Sequence, residues 1–375
     1  MSTTSINSKN QNLLWAISGG RCEYEGCNKV LHTDILTKKR YNSAYIAHIV
    51  ADEPNGPRGD TQRSKILANN INNLMLLCDE HHRLIDKSDV AGHPESRLLE
   101  MKKNHEGRIM RLTSIAPNMS SEIILYGANI GSHNSPLSYH LASETIFPDF
   151  YPASNEAIEL GLKNSLFSDD TETYWDVEET NLCEQFKLKI KPRLMYGNTD
   201  HYSVFALAPQ PLLIKFGVLL NDLNNLRVYQ KHREPSTWKW QTMSSNIEYI
   251  VREPADKTKT PVLVFSLSAT ITSDRIERVL GNNVSIWEIT LINSTPNNDF
   301  LKTEALLSDF RRTVRHAFDK IKSHHGCIEL HIFPAMPVSA SVELGRVWMP
   351  KADMPLVIYD ENKSKNGFYK TITIK

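Results

Sequence analysis

Cys22, Cys27, Cys78 and His81 stand as Cys-x4-Cys and, much further along the chain, Cys-x2-His. Tetrahedral zinc takes four N/S ligands, usually delivered as two close pairs. Any one of these cysteines alone reads as a small buried residue. Together they read as a structural zinc site. Without metal, the small N-terminal module around them has a thin core and is expected to be marginal. His82 follows directly after the last ligand, so its ring is free to point elsewhere.

The other cysteines, Cys183 and Cys327, are isolated, and five cysteines in 375 residues do not make a disulfide scaffold. That usage fits a reducing compartment. The polar start, Met1 to Asn10, has no apolar h-region. No apolar run approaches the roughly 18 residues needed to span a bilayer. A cytoplasmic protein with no membrane partner is expected. The net charge is zero, so any affinity for nucleic acid must come from a local patch.

Residues 13–20 (LLWAISGG) read as a short helix ended by glycines. After the Cys22–Cys27 knuckle, residues 44–50 (AYIAHIV) read as a strand carrying His48. Residues 53–60 form a Pro/Gly loop. Residues 69–78 run into a helix that holds His81, His82 and Asp86. Residues 95–111 have helical periodicity, with Leu98, Leu99, Met101 and Ile109 on the apolar side. Residues 113–121 read as a linker of small polar residues and a proline. The expected organisation is a first domain at 1–112 and a second at 122–375. The second opens with the strand EIILYG and then alternates strands and helices, an α/β pattern.

That second region carries a weak internal repeat. Residues 204–217 compare with 330–345, each an apolar strand, a proline turn, an apolar helix and a glycine. The comparison pairs Pro211 with Pro337 and the strand LRVYQ (226–230) with LVIYD (356–360). It also pairs TWKWQ (237–241), read as a strand, with GFYKTITI (367–374). A repeat of this kind implies two halves with a ligand crevice between them, near the strand C-terminal ends.

A histidine on a strand (His48), an asparagine before an apolar stretch (Asn73) and a histidine on the next helix (His82) form an ordered set. Singly they read as a half-buried histidine, an N-cap and a solvated histidine. As a set they resemble the HNH family, whose members often end in Asn-Leu-x-x-Leu-Cys-x-x-Cys-His. Here the run is Asn73-Leu74-Met75-Leu76-Leu77-Cys78-Asp79-Glu80-His81-His82, with His81 in place of the second cysteine. The resemblance covers roughly the first 110 residues. It implies a ββα-metal fold (α+β) and metal-dependent cleavage of double-stranded DNA. His48 is then the general base, suited to neutral pH. His82 binds a divalent ion, with magnesium expected and manganese or nickel as alternatives. Asn73 orients the His48 loop or completes the metal shell. Many family members have Asp immediately before the first histidine as a metal ligand. Here that residue is Ala47, so the second protein ligand is left open among Asp52, Asp60 and Asp86. Lys38, Lys39, Arg40, Arg58 and Arg63 are candidate phosphate contacts, which position DNA without reading its sequence.

Residues 327–359 (CIELHIFPAMPVSASVELGRVWMPKADMPLVIY) resemble the SAVED domain, and the similarity extends more loosely from about residue 122 to the end. The resemblance implies two fused CARF-like halves that bind a cyclic di- or oligonucleotide from a partner nucleotidyltransferase. It also implies a CBASS anti-phage effector in which binding drives assembly into a dimer or tetramer and switches on the nuclease. The proline turns at 209–215 and 334–342 lead into helix N-termini able to hold phosphate, placing Pro334, Met336 and Pro337 at the ligand. Ser268 and Thr270 offer hydroxyls. Trp238, Trp240, Trp348 and Tyr359 are candidate stacking surfaces. Arg346 and Lys351 are candidate phosphate partners. Core packing or surface exposure is the competing assignment for each. Two other functions remain open at this level. One is a stand-alone HNH restriction-type endonuclease whose C-terminal region reads modified DNA. The other is a zinc-stabilised nucleic-acid binder without catalysis.

Overall fold

A computed structural model describes residues 4–34, 36–116, 118–131, 136–162, 167–196, 201–221, 223, 225–242 and 247–375. Pro117, the proline of the expected linker, lies outside them. The chain forms two compact units, Met1–Ala116 and Pro117–Lys375. Among the described residues, no helix is long and apolar enough to cross a membrane.

In the first unit, α1 (Ser8–Ile17) starts earlier than the apolar periodicity indicated, because Asn7 accepts a bond from the Asn10 N–H at 2.8 Å and caps it. Gly19 and Gly20, both in the left-handed region, end it. Next come β1 (Ala44–His48), α2 (Ser64–Leu67), β2 (Leu74–Cys78), α3 (Asp79–Arg83) and α4 (Glu95–Thr113). β1 and β2 pair antiparallel, with His48 opposite Leu74 and Ala44 opposite Cys78. β2 is buried along its whole length, and with Leu14, Leu31, Ile85, Leu98 and Met101 it makes the core. Leu99, expected on the apolar side of α4, faces outward instead. A π-helical turn, Leu84–Ser88, continues α3.

The second unit runs β3 (Ser120–Gly127), α5 (Tyr139–Ile146), β4 (Tyr151–Pro152), β5 (Ile158–Leu160), α6 (Glu172–Lys189), α7 (Lys191–Tyr196) and β6 (Tyr202–Leu207). It continues with α8 (Gln210–Leu219), β7 (Leu226–Val228), β8 (Glu248–Arg252), β9 (Thr260–Ser266), α9 (Ser273–Leu280) and β10 (Val284–Ile292). It closes with α10 (Glu304–His325), β11 (Leu330–Ala335), α11 (Val338–Val347), β12 (Leu356–Asn362) and β13 (Gly367–Ile374). One parallel sheet is ordered β4-β3-β6-β7, with β5 also on β3. The other is ordered β13-β12-β11-β9-β10-β8, parallel within and antiparallel at both edges.

The repeat is visible in these two sheets. The path β3-β6-β7 corresponds to β9-β11-β12, and α8 to α11. The two helices cross at their glycines. A Cβ on Gly217 would lie 1.9 Å from Val342 O, and one on Gly345 would lie 2.0 Å from Ile214 O. Each half repeats an aromatic trio. Phe205 stacks on Tyr229 at 4.5 Å and meets Trp238 edge-on at 5.3 Å. Phe333 stacks on Tyr359 at 4.4 Å and meets Phe368 edge-on at 5.1 Å. Two details of the sequence comparison change. Pro209, not Pro211, matches Pro337, since these two are the helix N-caps. Residues 237–241 are not a strand. Thr237 makes only an isolated bridge to His232, while Trp238 turns in to complete the trio.

Candidate metal centre and sensor crevice

The antiparallel register of β1 and β2 ends at Cys78, and α3 then carries His81 back beside it. The ligand atoms of Cys22, Cys27, Cys78 and His81 all lie within 4.8 Å of one another. Cys22 Sγ is 3.7 Å and Cys78 Sγ 3.1 Å from His81 Nδ1. Tetrahedral zinc with bonds of about 2.0–2.3 Å separates its ligand atoms by roughly 3.5–3.8 Å, so the donor types fit that ion and the spacings here bracket that range. Burial pushes the Cys22 thiol up, and Cys78 and Cys27 push it further in the same direction. A cation among the sulfurs would favour the Cys22 thiolate. Tyr24 stacks on the His81 ring at 4.0 Å, and its hydroxyl is 3.0 Å from Nε2 of the buried His93. That support was not legible in the sequence, because the contact joins residues far apart in the chain.

His48 is buried, and its Nε2 lies 2.9 Å from Ala68 O. A carbonyl only accepts, so Nε2 carries the hydrogen, and the neutral form of the ring has its lone pair at Nδ1. Asn73 holds the same corner. Its Oδ1 accepts from the Val50 N–H at 2.8 Å, and its Nδ2 donates to Val50 O at 2.8 Å and Leu67 O at 3.3 Å. Asn73 therefore fixes the segment just after His48 and the end of α2 that supplies Ala68. On α3, the half-buried His82 ring stacks on Tyr45 at 5.0 Å, and its Nε2 is 3.3 Å from Asp86 Oδ2. Burial lowers the His82 pKa, with Asp86 and Asp79 opposing. Among the other carboxylates weighed for the metal, Asp52 accepts from the Thr4 N–H at 2.9 Å, and Asp60 caps the backbone of Gln62 and Arg63.

Lys38, Lys39 and Arg40 lie on an exposed loop. Arg58 does not. Its side chain is 7% exposed and bonds Ile49 O at 2.6 Å, Ile85 O at 2.8 Å and Asp86 Oδ1 at 2.6 Å. A guanidinium whose donors are consumed internally is no phosphate contact. Arg63 pairs with Glu95 on the surface.

The residues expected at the sensor ligand divide. Ser268 and Thr270 follow β9 at its C-terminal end, and the Ser268 N–H donates to Ala335 O at 2.7 Å beside Met336 and Pro337. Met336 and Pro337 are buried there, and Pro334 is a buried residue of β11. The helix N-terminus behind them is already occupied. Gln210 Oε1 accepts from the Met336 N–H, and Gln230 Oε1 accepts from the Ser339 N–H, both at 3.1 Å. Arg346 and Lys351 lie at and beyond the far end of α11, about 15 Å along its axis. Arg346 is tied to Glu343 at 2.7 Å. Trp238 is a core residue, 5% exposed. Trp348 and Tyr359 are also buried. A feature missed in the sequence is a groove of about 510 Å³ between α9 and the β12–β13 turn. It is lined by Arg275, Arg278, Lys363, Lys365 and Phe368, with Asp274 and Glu361. The basic run at 363–365 was its one linear signal.

A sequence profile described as "SAVED: SMODS-associated and fused to various effectors sensor domain" matches residues 183–374. Among solved structures, the chain resembles an Acinetobacter baumannii Cap4 SAVED/CARF-domain containing receptor with the cyclic trinucleotide 2'3'3'-cAAA. The identity is 12% and the TM-score 0.42, over 83% of this chain and 61% of that one. A Moraxella osloensis Cap4 receptor is similar at 13% identity and TM-score 0.37, over 84% and 60%. The chain thus spans less than two thirds of either receptor's length. No curated protein matches it in sequence.

Proposed function

This chain belongs to the SAVED sensor family, whose profile covers over half of its length, and from that premise we propose that it is a cyclic-nucleotide-gated DNA endonuclease of anti-phage defence. The second unit is the sensor for a cyclic di- or oligonucleotide made by a partner nucleotidyltransferase. The first unit is an HNH-type nuclease, stapled by zinc on Cys22, Cys27, Cys78 and His81. It cuts double-stranded DNA with little sequence specificity. Ligand binding joins copies of the chain, which requires tighter binding to the active assembly than to the resting form.

One observation carries the nuclease assignment. His48 is fixed with its lone pair at Nδ1, on the strand antiparallel to the one that leads into His82. Phosphodiester hydrolysis needs a base for water and a cation for the developing charge. Magnesium or another divalent ion supplies that charge when bound, with His82 holding it. His48 Nδ1 takes the proton from the attacking water. Asn73 keeps the His48 corner from moving. For the sensor, the groove by β12 pairs Arg275 with Glu361 and Arg278 with Asp274, and the exposed Lys363 and Lys365 supply the excess positive charge that favours an anionic ligand.

The test incubates purified protein with supercoiled plasmid, Mg²⁺ and a panel of cyclic di- and trinucleotides, including 2'3'3'-cAAA and 3'3'3'-cAAA. Cleavage is expected only with a cognate cyclic nucleotide. His48→Ala should lower the rate by at least about 100-fold while keeping ligand-dependent assembly in sedimentation. Cleavage independent of every cyclic nucleotide removes the gating. Intact plasmid under all divalent ions, with a bound ligand demonstrated, removes the nuclease.

A further inference from the structure

Ala47 precedes His48 on β1 and has no side-chain oxygen to offer a cation. A carboxylate does stand beside His82. Asp86 lies one turn further on, in the π-helical turn Leu84–Ser88, a distortion that often marks a functional position. Its Oδ2 is 3.3 Å from His82 Nε2. Adjacent ligand atoms on an octahedral divalent ion with bonds of about 2.1 Å are roughly 3.0 Å apart, so the pair has the bite of two neighbouring ligands. Tyr45, stacked on the His82 ring, fixes how it turns.

The other oxygen, Asp86 Oδ1, is held by Arg58 at 2.6 Å. Arg58 is a built part, not a surface cation. Its backbone has φ +57°, and the rest of its guanidinium bonds Ile49 O and Ile85 O. Ile49 follows His48, and Ile85 precedes Asp86. One planar fork therefore ties the strand of the base to the turn of the carboxylate, a geometry that a lysine cannot reproduce.

We propose that Asp86 is the second protein ligand of the divalent cation, replacing the carboxylate missing at Ala47, and that Arg58 positions it. The proposal rests on the nuclease reading above. Its test reads metal binding directly. Zinc-loaded protein is titrated with Mn²⁺, and free Mn²⁺ is followed by electron paramagnetic resonance. The wild type is expected to bind one Mn²⁺ beyond its zinc. Asp86→Asn should weaken that binding at least about tenfold, as should Asp86→Ser, with zinc content unchanged. Arg58→Lys should weaken it less, with the zinc and the thermal midpoint retained. Wild type that binds Mn²⁺ and cleaves, with Asp86→Asn and Asp86→Ser unchanged in both, overturns this proposal alone. Wild type that neither binds a second ion nor cleaves overturns the nuclease reading with it.

Discussion

Gln230 and Asp360 occupy matching places in the two halves, each directly after the tyrosine of its aromatic trio. Gln230 accepts from the Ser339 N–H at 3.1 Å and the Ser339 hydroxyl at 2.7 Å. The residue of α8 that matches Ser339 is Pro211, which has neither donor. Asp360 is left, among the described residues, with only the backbone N–H of Glu361. Burial first, and the charge of Asp169 second, push its carboxyl up to about 7. A raised acid is protonated more readily folded than unfolded. Its stabilising share is complete below the ordinary value near 3.8 and is lost as pH rises through about 7. Asp360→Asn should therefore match the wild type near pH 4 and exceed it at pH 8, by a few kcal/mol at most. Urea unfolding at the two pH values checks this, and equal gains at both would reject it. The residue types here were plain in the sequence. That one finds a helix donor and the other only its neighbour's N–H depended on the residue at the matching place of each helix.

Helix α8 and helix α11 show what the sequence carries at the level of elements. The glycines that end the two repeats were legible as a pattern, but their purpose was not. Neither has a positive φ, so turn geometry does not require them. They are needed because each backbone lies where the other's Cβ would be. Gly217→Ala or Gly345→Ala should destabilise the second unit by at least about 1–3 kcal/mol, the usual cost of overpacking, because backbone atoms cannot rotate away. Denaturant midpoints measure this, and a shift below a few tenths of a kcal/mol would show that the helices slide apart freely. The strand expected at 237–241 failed for a related reason. Alternating aromatic residues suit a strand, but Trp238 does more for the core by packing edge-on against Phe205 than by extending the sheet.

At the scale of the whole molecule, the two units have separate cores of unequal depth. The first rests on a small set around β2, the second on an extensive one spanning both sheets. A thin core with a four-ligand cluster should depend on its metal. In calorimetry, a strong zinc chelator should lower or abolish the transition of residues 1–116 and leave that of residues 117–375 within a few degrees. An unchanged first transition after verified zinc removal would deny the cluster a structural role. Cys27→Ser should reproduce the chelator's effect without added reagent.

By itself the sequence determined the cysteine–histidine set, the strand–helix alternation and the repeated halves, because each is written as residue type at fixed local spacing. The tertiary structure decided which groups are spent and which remain available. It turned Arg58 inward onto Asp86, buried Trp238 and filled the α11 N-terminus with Gln210 and Gln230. Hydrogen bonds and close packing act over a few ångströms between residues far apart in the chain, and linear order does not record that distance.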